Sequence, residues 1–259
     1  MTAPSAAGAH AAAGARAAAP ARAAAGTPVP GGGPLRICFL GDSFVQGVGD
    51  PQYRGWVGRV LAATAAADPA RDVTGFNLGV RRDTSADVLA RCWDEAGRRT
   101  APGADHRLVV SFGSNDAVEE GGAPRVRPAD TAGHLGRLLA GAADRGTDVL
   151  VVGPPPVHDR GAAHLRRLLD LEERLRDVCD RAGVPWIPVA RLLAGDPDWQ
   201  AEAAAGDGAH PGERGYDRLA DLVLTGGWHD WLAAPGRPAA TGRAHGPAAV
   251  PLPSADVSR

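Results

Sequence analysis

The sequence predicts an α/β domain, a three-layer α/β/α sandwich around a central parallel sheet of about five strands. Short β-rich runs alternate along the chain with longer stretches of helical periodicity. The runs are apolar throughout instead of alternating with polar residues, which is typical of parallel strands covered on both faces. With 44% hydrophobic and 22% charged residues among 259, the chain has enough apolar material for a sizeable core.

Five strands and five helices follow from this pattern. The strand-like runs cover residues 35–40, 73–78, 108–112, 149–152 and 184–189, and the helical periods cover 55–67, 85–99, 129–145, 162–182 and about 213–232. Thr84 followed by Asp87 resembles the side-chain box that starts a helix, with Asp in place of the usual Glu or Gln. Gly146 and Gly183 stand where helices end on a left-handed residue. Helices between successive strands predict right-handed crossovers.

The two ends of the chain differ from the middle in composition. Residues 1–34 and 234–259 are rich in Ala, Gly and Pro, and together they carry five arginines against one aspartate. Such segments cannot bury enough apolar surface to offset the entropy lost when a chain is ordered. We therefore expect a disordered leader over 1–34, one domain over 35–233 and a disordered tail over 234–259.

Composition argues against several classes of function. The chain contains no lysine, which excludes both a phosphate-binding loop with its lysine and Schiff-base chemistry. A net charge of −2 gives no electrostatic footprint for nucleic acid or for an anionic membrane. No stretch approaches the roughly 18 consecutive apolar residues of a membrane span. We expect a soluble protein without a nucleic-acid partner and without a membrane span.

Cysteine and histidine spacing gives no sign of a metal centre. Cys38, Cys92 and Cys179 form no CxxC motif, and the histidines show neither HxH nor HExxH spacing. We interpret the cysteines as buried reduced thiols and expect no metal site. The alanine-rich leader is interrupted by Gly, Arg and Pro, so it lacks the continuous apolar stretch of a secretory signal. Together these features favour a cytoplasmic location.

A serine follows the first predicted strand, at the edge where ligands of parallel sheets bind. Ser43 lies in the turn GDSFVQG (41–47), which would present its hydroxyl outward at a helix N-terminus that favours negative charge. The alternative is an ordinary strand-to-helix turn capped by Asp42 or Ser43.

Three later loops offer donors and a base. Gly79 in NLG provides an unhindered N–H, and Asn115 in GSND provides two uncharged amide donors suited to a developing oxyanion. Simple turns explain both segments equally well. In DGAHP, Asp207 precedes His210 by three residues, so its carboxylate can orient the imidazole as a general base for a serine. A purely structural Asp–His loop is the alternative.

Taken in order, the segments GDSFVQG, NLG, GSND and DGAHP resemble those of the SGNH subgroup of the GDSL esterase/lipase family. The resemblance covers nearly all of 35–233 and implies the flavodoxin-like fold of SGNH hydrolases. It implies Ser43 as nucleophile, His210 as base and Asp207 as the acid that orients it. It also implies an oxyanion hole made by the N–H groups of Ser43 and Gly79 and the Asn115 amide, without a metal or an organic cofactor.

Two positions depart from the family pattern, and three residues are weaker candidates for contacting substrate. Phe44 replaces the leucine that gives the family its name, and Arg82 stands where many relatives carry glycine, at the mouth of the implied site. Arg81 and Arg82 are candidates for contacting an anionic part of a substrate, with surface solvation as the alternative. Pro155, within a proline triplet after the fourth strand, is a candidate for an apolar wall, with a rigid loop as the alternative.

The predicted function is hydrolysis of a small-molecule carboxylic ester through an acyl-enzyme, as in esterases, lipases and lysophospholipases. Acyl transfer to a sugar or metabolite hydroxyl, or deacetylation of one, would need the same residues. A non-catalytic ligand-binding α/β domain is the alternative from a different class. The sequence makes no prediction of the oligomeric state.

Overall fold

The computed structural model describes residues 33–235 of the chain. Its central sheet is parallel and contains β1 (Leu35–Gly41), β2 (Val73–Gly79), β3 (Asp105–Ser111), β4 (Asp148–Val152) and β5 (Trp186–Ile187). The spatial order is β2-β1-β3-β4-β5, the order of flavodoxin-like doubly wound folds. The predicted sheet is therefore confirmed. The disordered leader and tail predicted at the two ends lie, apart from two residues of each, outside the described residues.

Helices cover both faces of this sheet. They are α1 (Ser43–Gln46), α2 (Gly55–Ala67), α3 (Ser85–Gly97), α4 (Pro128–Asp144), α5 (Gly161–Ala182), α6 (Ala190–Ala194), α7 (Pro197–Ala205), α8 (Glu213–Val223) and α9 (His229–Ala233). Ile37 and Phe39 of β1 pack into a core shared with α2, α7, α8 and α9. Cys38 and Leu40 point to the opposite face, into a core shared with α3, α4 and α5. This alternation confirms the three-layer α/β/α sandwich.

The predicted helix signals are present. The Thr84 N–H donates to Oδ2 of Asp87 at 2.9 Å, and the Thr84 side chain caps the same turn, so the box at the start of α3 is complete. Gly146 and Gly183 follow α4 and α5 in the left-handed region, with φ of 62° and 63°. The four helices predicted over 55–67, 85–99, 129–145 and 162–182 end within two residues of the observed bounds.

Two strands differ from their predicted bounds. The third begins at Asp105 instead of residue 108, because Asp105 and the two polar residues after it pair in register with the first residues of β1. Residue Phe112 lies just beyond its end. The fifth strand is confined to Trp186–Ile187 instead of 184–189, since Pro185 and Pro188 have no N–H to give to a neighbouring strand.

The last predicted helix, 213–232, is interrupted. A π-helical turn over Leu224–Trp228 separates α8 from α9, and Gly227 within it has φ of 124°, which breaks the helical path. The helix start expected at Ser43 is present as α1, but the sequence pattern gave no indication of α6, α7 or the two-stranded hairpin of Glu119–Glu120 and Ala123–Pro124. Among the described residues, no helix has both the length and the apolar character needed to cross a membrane.

Candidate active site

Ser43 lies at the carboxyl end of β1, as the first residue of the short helix α1. Asp42 caps this helix, because its Oδ1 accepts a hydrogen bond from the Phe44 N–H at 2.9 Å. Ser43 is only 5% exposed, and its Oγ lies 2.8 Å from Nε2 of His210. The turn that presents the serine hydroxyl therefore directs it at the predicted base.

His210 connects Ser43 to Asp207. The His210 Nδ1 lies 2.8 Å from Oδ2 of Asp207. Because an ionised carboxylate only accepts hydrogen bonds, Nδ1 carries the proton, and Nε2 of the neutral ring is left to accept the hydroxyl proton of Ser43. Oδ1 of Asp207 also accepts from the N–H groups of Ala209 at 3.0 Å and His210 at 2.9 Å, so the turn itself holds the acid in place.

The ionisation of this pair suits a general base. Burial acts to raise the pKa of Asp207, but its hydrogen bonds from His210 and Ala209 outweigh that effect and lower the pKa to about 2. Burial lowers the pKa of His210, and the attraction of Asp207 offsets this only in part. Near neutral pH the acid is therefore charged and the imidazole neutral, as proton abstraction from a serine requires.

Packing holds the imidazole from a second side. The Phe44 ring lies 4.8 Å from the His210 ring and is stacked 5.8 Å from Trp199 of α7. The phenylalanine that replaces the family's leucine at position 44 therefore contacts His210 directly and contributes to its burial. Gly49, with φ of 92°, approaches the loop of His210 so closely that a Cβ would stand 2.5 Å from the Pro211 carbonyl oxygen.

The candidate oxyanion donors flank α1. Gly79 ends β2 against the α1 backbone, where a Cβ would lie 2.2 Å from the Gln46 nitrogen. Its N–H donates to Oδ1 of Asn77 at 3.0 Å. Asn115 Nδ2 donates to the Asp83 carbonyl oxygen at 3.0 Å and makes a longer contact of 3.4 Å with Oδ2 of Asp42. Both donors therefore adjoin the turn that carries Ser43.

A buried polar cluster, missed in the sequence analysis, fixes the loop of Asn115. Asp116 is fully buried and accepts from the Ser85 N–H at 3.0 Å and from Thr131 Oγ1 at 2.9 Å. The Ser85 hydroxyl also bonds to Asp116 and lies 2.7 Å from Nδ1 of His134. These contacts attach the loop after β3 to the start of α3 and to α4. The adjacent Asn and Asp in GSND were a signal of this anchoring.

Asp42, the residue before Ser43, carries a buried carboxyl group. Burial raises its pKa to about 7, the Phe44 N–H opposes the rise, and the nearby Asp116 and Asp83 carboxylates add to it. The folded protein therefore holds a proton that the unfolded chain, with an ordinary aspartate, releases near pH 4. As pH rises from about 4 to 7, this difference in proton binding lowers the free energy of unfolding.

Asp42→Asn should consequently be more stable than the wild type above pH 7, by about 4 kcal/mol at most, with a difference that shrinks toward pH 4. Asparagine keeps an oxygen for the Phe44 N–H and removes the buried ionisation. Urea unfolding of both proteins from pH 4 to 8 measures the effect, with Asp230→Asn on the exposed side of α9 as a control. Parallel stability curves for Asp42→Asn and the wild type would contradict the raised pKa.

The weaker candidates for substrate contact lie in three different settings. The Arg81 guanidinium nitrogen Nη2 is 3.3 Å from Oδ2 of Asp207. Arg82 has φ of 72°, the region that glycine favours, and its side chain faces Glu120 at 3.6 Å. Pro155 is buried, and its carbonyl oxygen accepts from Ser114 Oγ at 2.7 Å. Arg81 therefore makes a polar contact with Asp207, the hydrogen-bond partner of His210, whereas Arg82 contacts Glu120 and Pro155 contacts Ser114.

The cysteines take no part in this site. All three are buried and unpaired, and burial raises the pKa of Cys38 and Cys92 to about 11 and that of Cys179 to about 12. The prediction that the cysteines are buried is confirmed. Within residues 33–235, no group of three or more His, Cys, Asp or Glu side chains is arranged to hold a metal ion.

Solved structures share this fold. A lipase/acylhydrolase from Enterococcus faecalis matches with a TM-score of 0.59 at 20% identity, covering 81% of this chain and all of that one. A catalytic mutant of Axe2, an acetylxylan esterase from Geobacillus stearothermophilus, matches with a TM-score of 0.63 at 17% identity, covering 79% and 99%. The psychrotrophic esterase EstA from Pseudoalteromonas sp. matches with a TM-score of 0.59 at 16% identity, covering 76% and 98%.

Sequence comparison identifies the family. An uncharacterized protein of Bacillus subtilis (strain 168), YpmR, is 30% identical over 83 residues, which span only 32% of this chain and 32% of YpmR. The model of the GDSL-like lipase/acylhydrolase family matches residues 39–218, and this range contains all four segments on which the resemblance was based. The chain therefore belongs to the GDSL-like lipase/acylhydrolase family, whose esterase-type hydrolases share its parallel sheet and surrounding helices.

Proposed function

We propose that this protein hydrolyses carboxylic esters through an acyl-enzyme formed on Ser43. The observation that carries the proposal is the hydrogen-bonded series from Ser43 Oγ to His210 Nε2 and from His210 Nδ1 to Asp207, with both links at 2.8 Å. A neutral imidazole between a hydroxyl and an ionised carboxylate is the arrangement that activates a serine nucleophile.

In the first half-reaction, Ser43 Oγ attacks the acyl carbon while its proton moves to Nε2 of His210. The resulting imidazolium is stabilised by Asp207, whose low pKa keeps it ionised. The C–O bond to the alcohol then breaks, and the alcohol oxygen takes the proton from Nε2. Water repeats the sequence in the second half-reaction: His210 removes its proton, the carboxylic acid leaves, and Ser43 recovers its hydrogen.

The negative charge of the tetrahedral intermediate needs donors beside Ser43. The Ser43 N–H is in the first turn of α1, where backbone donors have no partner within the helix. The bond from Asn115 to Asp83 fixes the amide, while the longer contact to Asp42 is the weaker of the two and can be given up for an oxyanion. Gly79 would likewise turn its N–H from Asn77 to the oxyanion. These contacts support Ser43, Gly79 and Asn115 as the oxyanion hole.

Labelling with a fluorophosphonate tests the proposal in one step. The reagent should modify one serine, and peptide mass spectrometry should locate the label at Ser43, because only an activated hydroxyl attacks phosphorus rapidly. Ser43→Ala should take no label, and Ser114→Ala, at another buried serine, should label normally if it folds. A folded wild-type protein that resists the reagent would instead indicate the non-catalytic ligand-binding alternative.

Acetyl esters are the first substrates to examine. Axe2, which is similar in fold, is an acetylxylan esterase, and this supports a short acyl group and a carbohydrate hydroxyl as one candidate substrate. Comparing acetyl, butyryl, octanoyl and palmitoyl esters measures the acyl preference. Analysis of the products with and without an acceptor alcohol then distinguishes hydrolysis from acyl transfer. The three free, buried thiols support the further proposal of a reducing, cytoplasmic compartment.

A further inference from the structure

Arg81 shares its acceptor with the base of the proposed reaction. Oδ2 of Asp207 is 2.8 Å from His210 Nδ1 and 3.3 Å from Nη2 of Arg81. The Arg81 side chain is 56% exposed and that of Asp207 is 39% exposed, so their contact lies at the protein surface. A long ion pair of this kind between exposed groups stabilises a protein little. Arg81 can therefore exchange Asp207 for another anion at small cost.

The backbone directs Arg81 to this position. After β2, the Val80 N–H donates to the Gly41 carbonyl oxygen at 3.0 Å, and the Asp83 N–H donates to the Val80 carbonyl oxygen at 3.2 Å, which closes a tight turn. Arg82 is left-handed within that turn, and its carbonyl oxygen accepts from Arg125. The turn consequently separates two adjacent arginines, with Arg82 facing Glu120 and Arg81 facing Asp207.

The charge of Arg81 acts against the base when it is not neutralised. It lowers the pKa of His210, as burial does, whereas Asp207 and the neighbouring Asp159 raise it. Asp159 contacts the loop that carries Asp207 and His210, because its N–H donates to the Gly208 carbonyl oxygen at 2.8 Å. A second anion at Arg81 would draw the guanidinium away from Asp207 and favour the imidazolium that forms during acylation.

We propose that Arg81 binds an anionic group, a carboxylate or a phosphate, on the alcohol portion of the ester substrate. This inference rests on the proposed esterase reaction. The alcohol oxygen takes its proton from Nε2 of His210, so the alcohol portion lies on the His210 side of the acyl carbon. Arg81 comes two residues after Gly79, whose backbone adjoins the turn that carries Ser43, and its half-exposed guanidinium lies 3.3 Å from Asp207. It is therefore a cation at the rim of the same site, within the loop that follows a proposed oxyanion donor.

Three phenyl acetates that differ only in the para substituent test the proposal: carboxylate, carboxamide and trimethylammonium. Each kcat/KM is divided by the hydroxide-catalysed rate of the same ester, which removes differences in leaving-group reactivity. The wild type should prefer the carboxylate over the carboxamide by about fivefold at low salt, the size expected for an exposed ion pair. The trimethylammonium ester should be the poorest of the three, and 0.5 M NaCl should reduce the preference.

Variants assign the preference to Arg81. Arg81→Gln should bring the carboxylate-to-carboxamide ratio to about one, and Arg81→Lys should retain part of it. Arg127→Gln removes the same charge from an exposed arginine that pairs with Asp130 at the start of α4, and it should keep the full ratio. Arg81→Gln should also shift the acidic limb of kcat/KM to higher pH, because a cation that lowers the pKa of His210 is gone.

The outcomes separate this inference from the proposed function. If the wild type hydrolyses all three esters with equal corrected rates, or if Arg81→Gln keeps the carboxylate preference, Arg81 does not recognise substrate and the esterase proposal stands. If the wild type hydrolyses none of the three and resists the fluorophosphonate, the esterase proposal fails, and this inference fails with it.

Discussion

Ser43→Ala and His210→Ala should each lower ester turnover by about a thousandfold or more. In the proposed reaction, the first removes the attacking Oγ of Ser43 and the second removes Nε2 of His210, which accepts its proton. These two atoms lie 2.8 Å apart. The double variant should lose little beyond either single variant, because the residues act as one unit. Steady-state kcat/KM with a small chromogenic ester measures all three.

One control and one further variant accompany this experiment. His229→Ala removes an exposed histidine from α9. This helix lies away from the candidate site, because the carbonyl oxygen of its Trp231 accepts a hydrogen bond from Arg107 near the start of β3. The variant should keep wild-type turnover. Asp207→Ala should lower turnover less than Ser43→Ala or His210→Ala does, since packing against Phe44 still helps to orient His210. A folded Ser43→Ala that retains more than about a tenth of the activity would show that another group is the nucleophile.

Asn115→Ala should reduce kcat by about a hundredfold with little change in KM, the usual cost of losing one oxyanion donor. The amide donates most strongly to the charge that develops in the transition state, so its removal affects the chemical step more than substrate binding. Loss of its bond to Asp83 should cost about 1 kcal/mol of stability, which thermal unfolding will detect. A large rise in KM with unchanged kcat would instead make Asn115 a substrate-binding residue.

Most of the fold was predictable from the sequence because the apolar runs lie between helical periods of ordinary length. The failures occurred where a residue's neighbours outweigh its own pattern. Polar Asp105 continues β3 because β1 offers a partner in register. The break at Gly227 was missed because a single glycine does not interrupt the helical pattern of the sequence. The short helix α7 was missed because it has little amphipathic character.

The position of the candidate site was also predictable, because parallel strands bring their carboxyl ends to one edge. Ser43 follows β1, Gly79 ends β2 and Asn115 follows β3, so topology predicts that these three residues lie near one another. His210 lies in the loop between α7 and α8, and the family resemblance implied its place at this edge. The sequence could therefore predict which candidate side chains meet at this edge and their order along the chain. The Asp207–His210 spacing of three residues further determined that acid and base would share one loop.

Only the tertiary structure decided how these groups are tuned. The raised pKa of Asp42 depends on burial and on Asp116 and Asp83, which come near it only in the folded chain. The contact between Arg81 and Asp207 joins residues 126 positions apart, and Arg82, with an identical side chain one position later, faces Glu120 instead. Local sequence determines which groups a loop carries, whereas ionisation and pairing depend on distance and solvent exposure, and packing alone sets both.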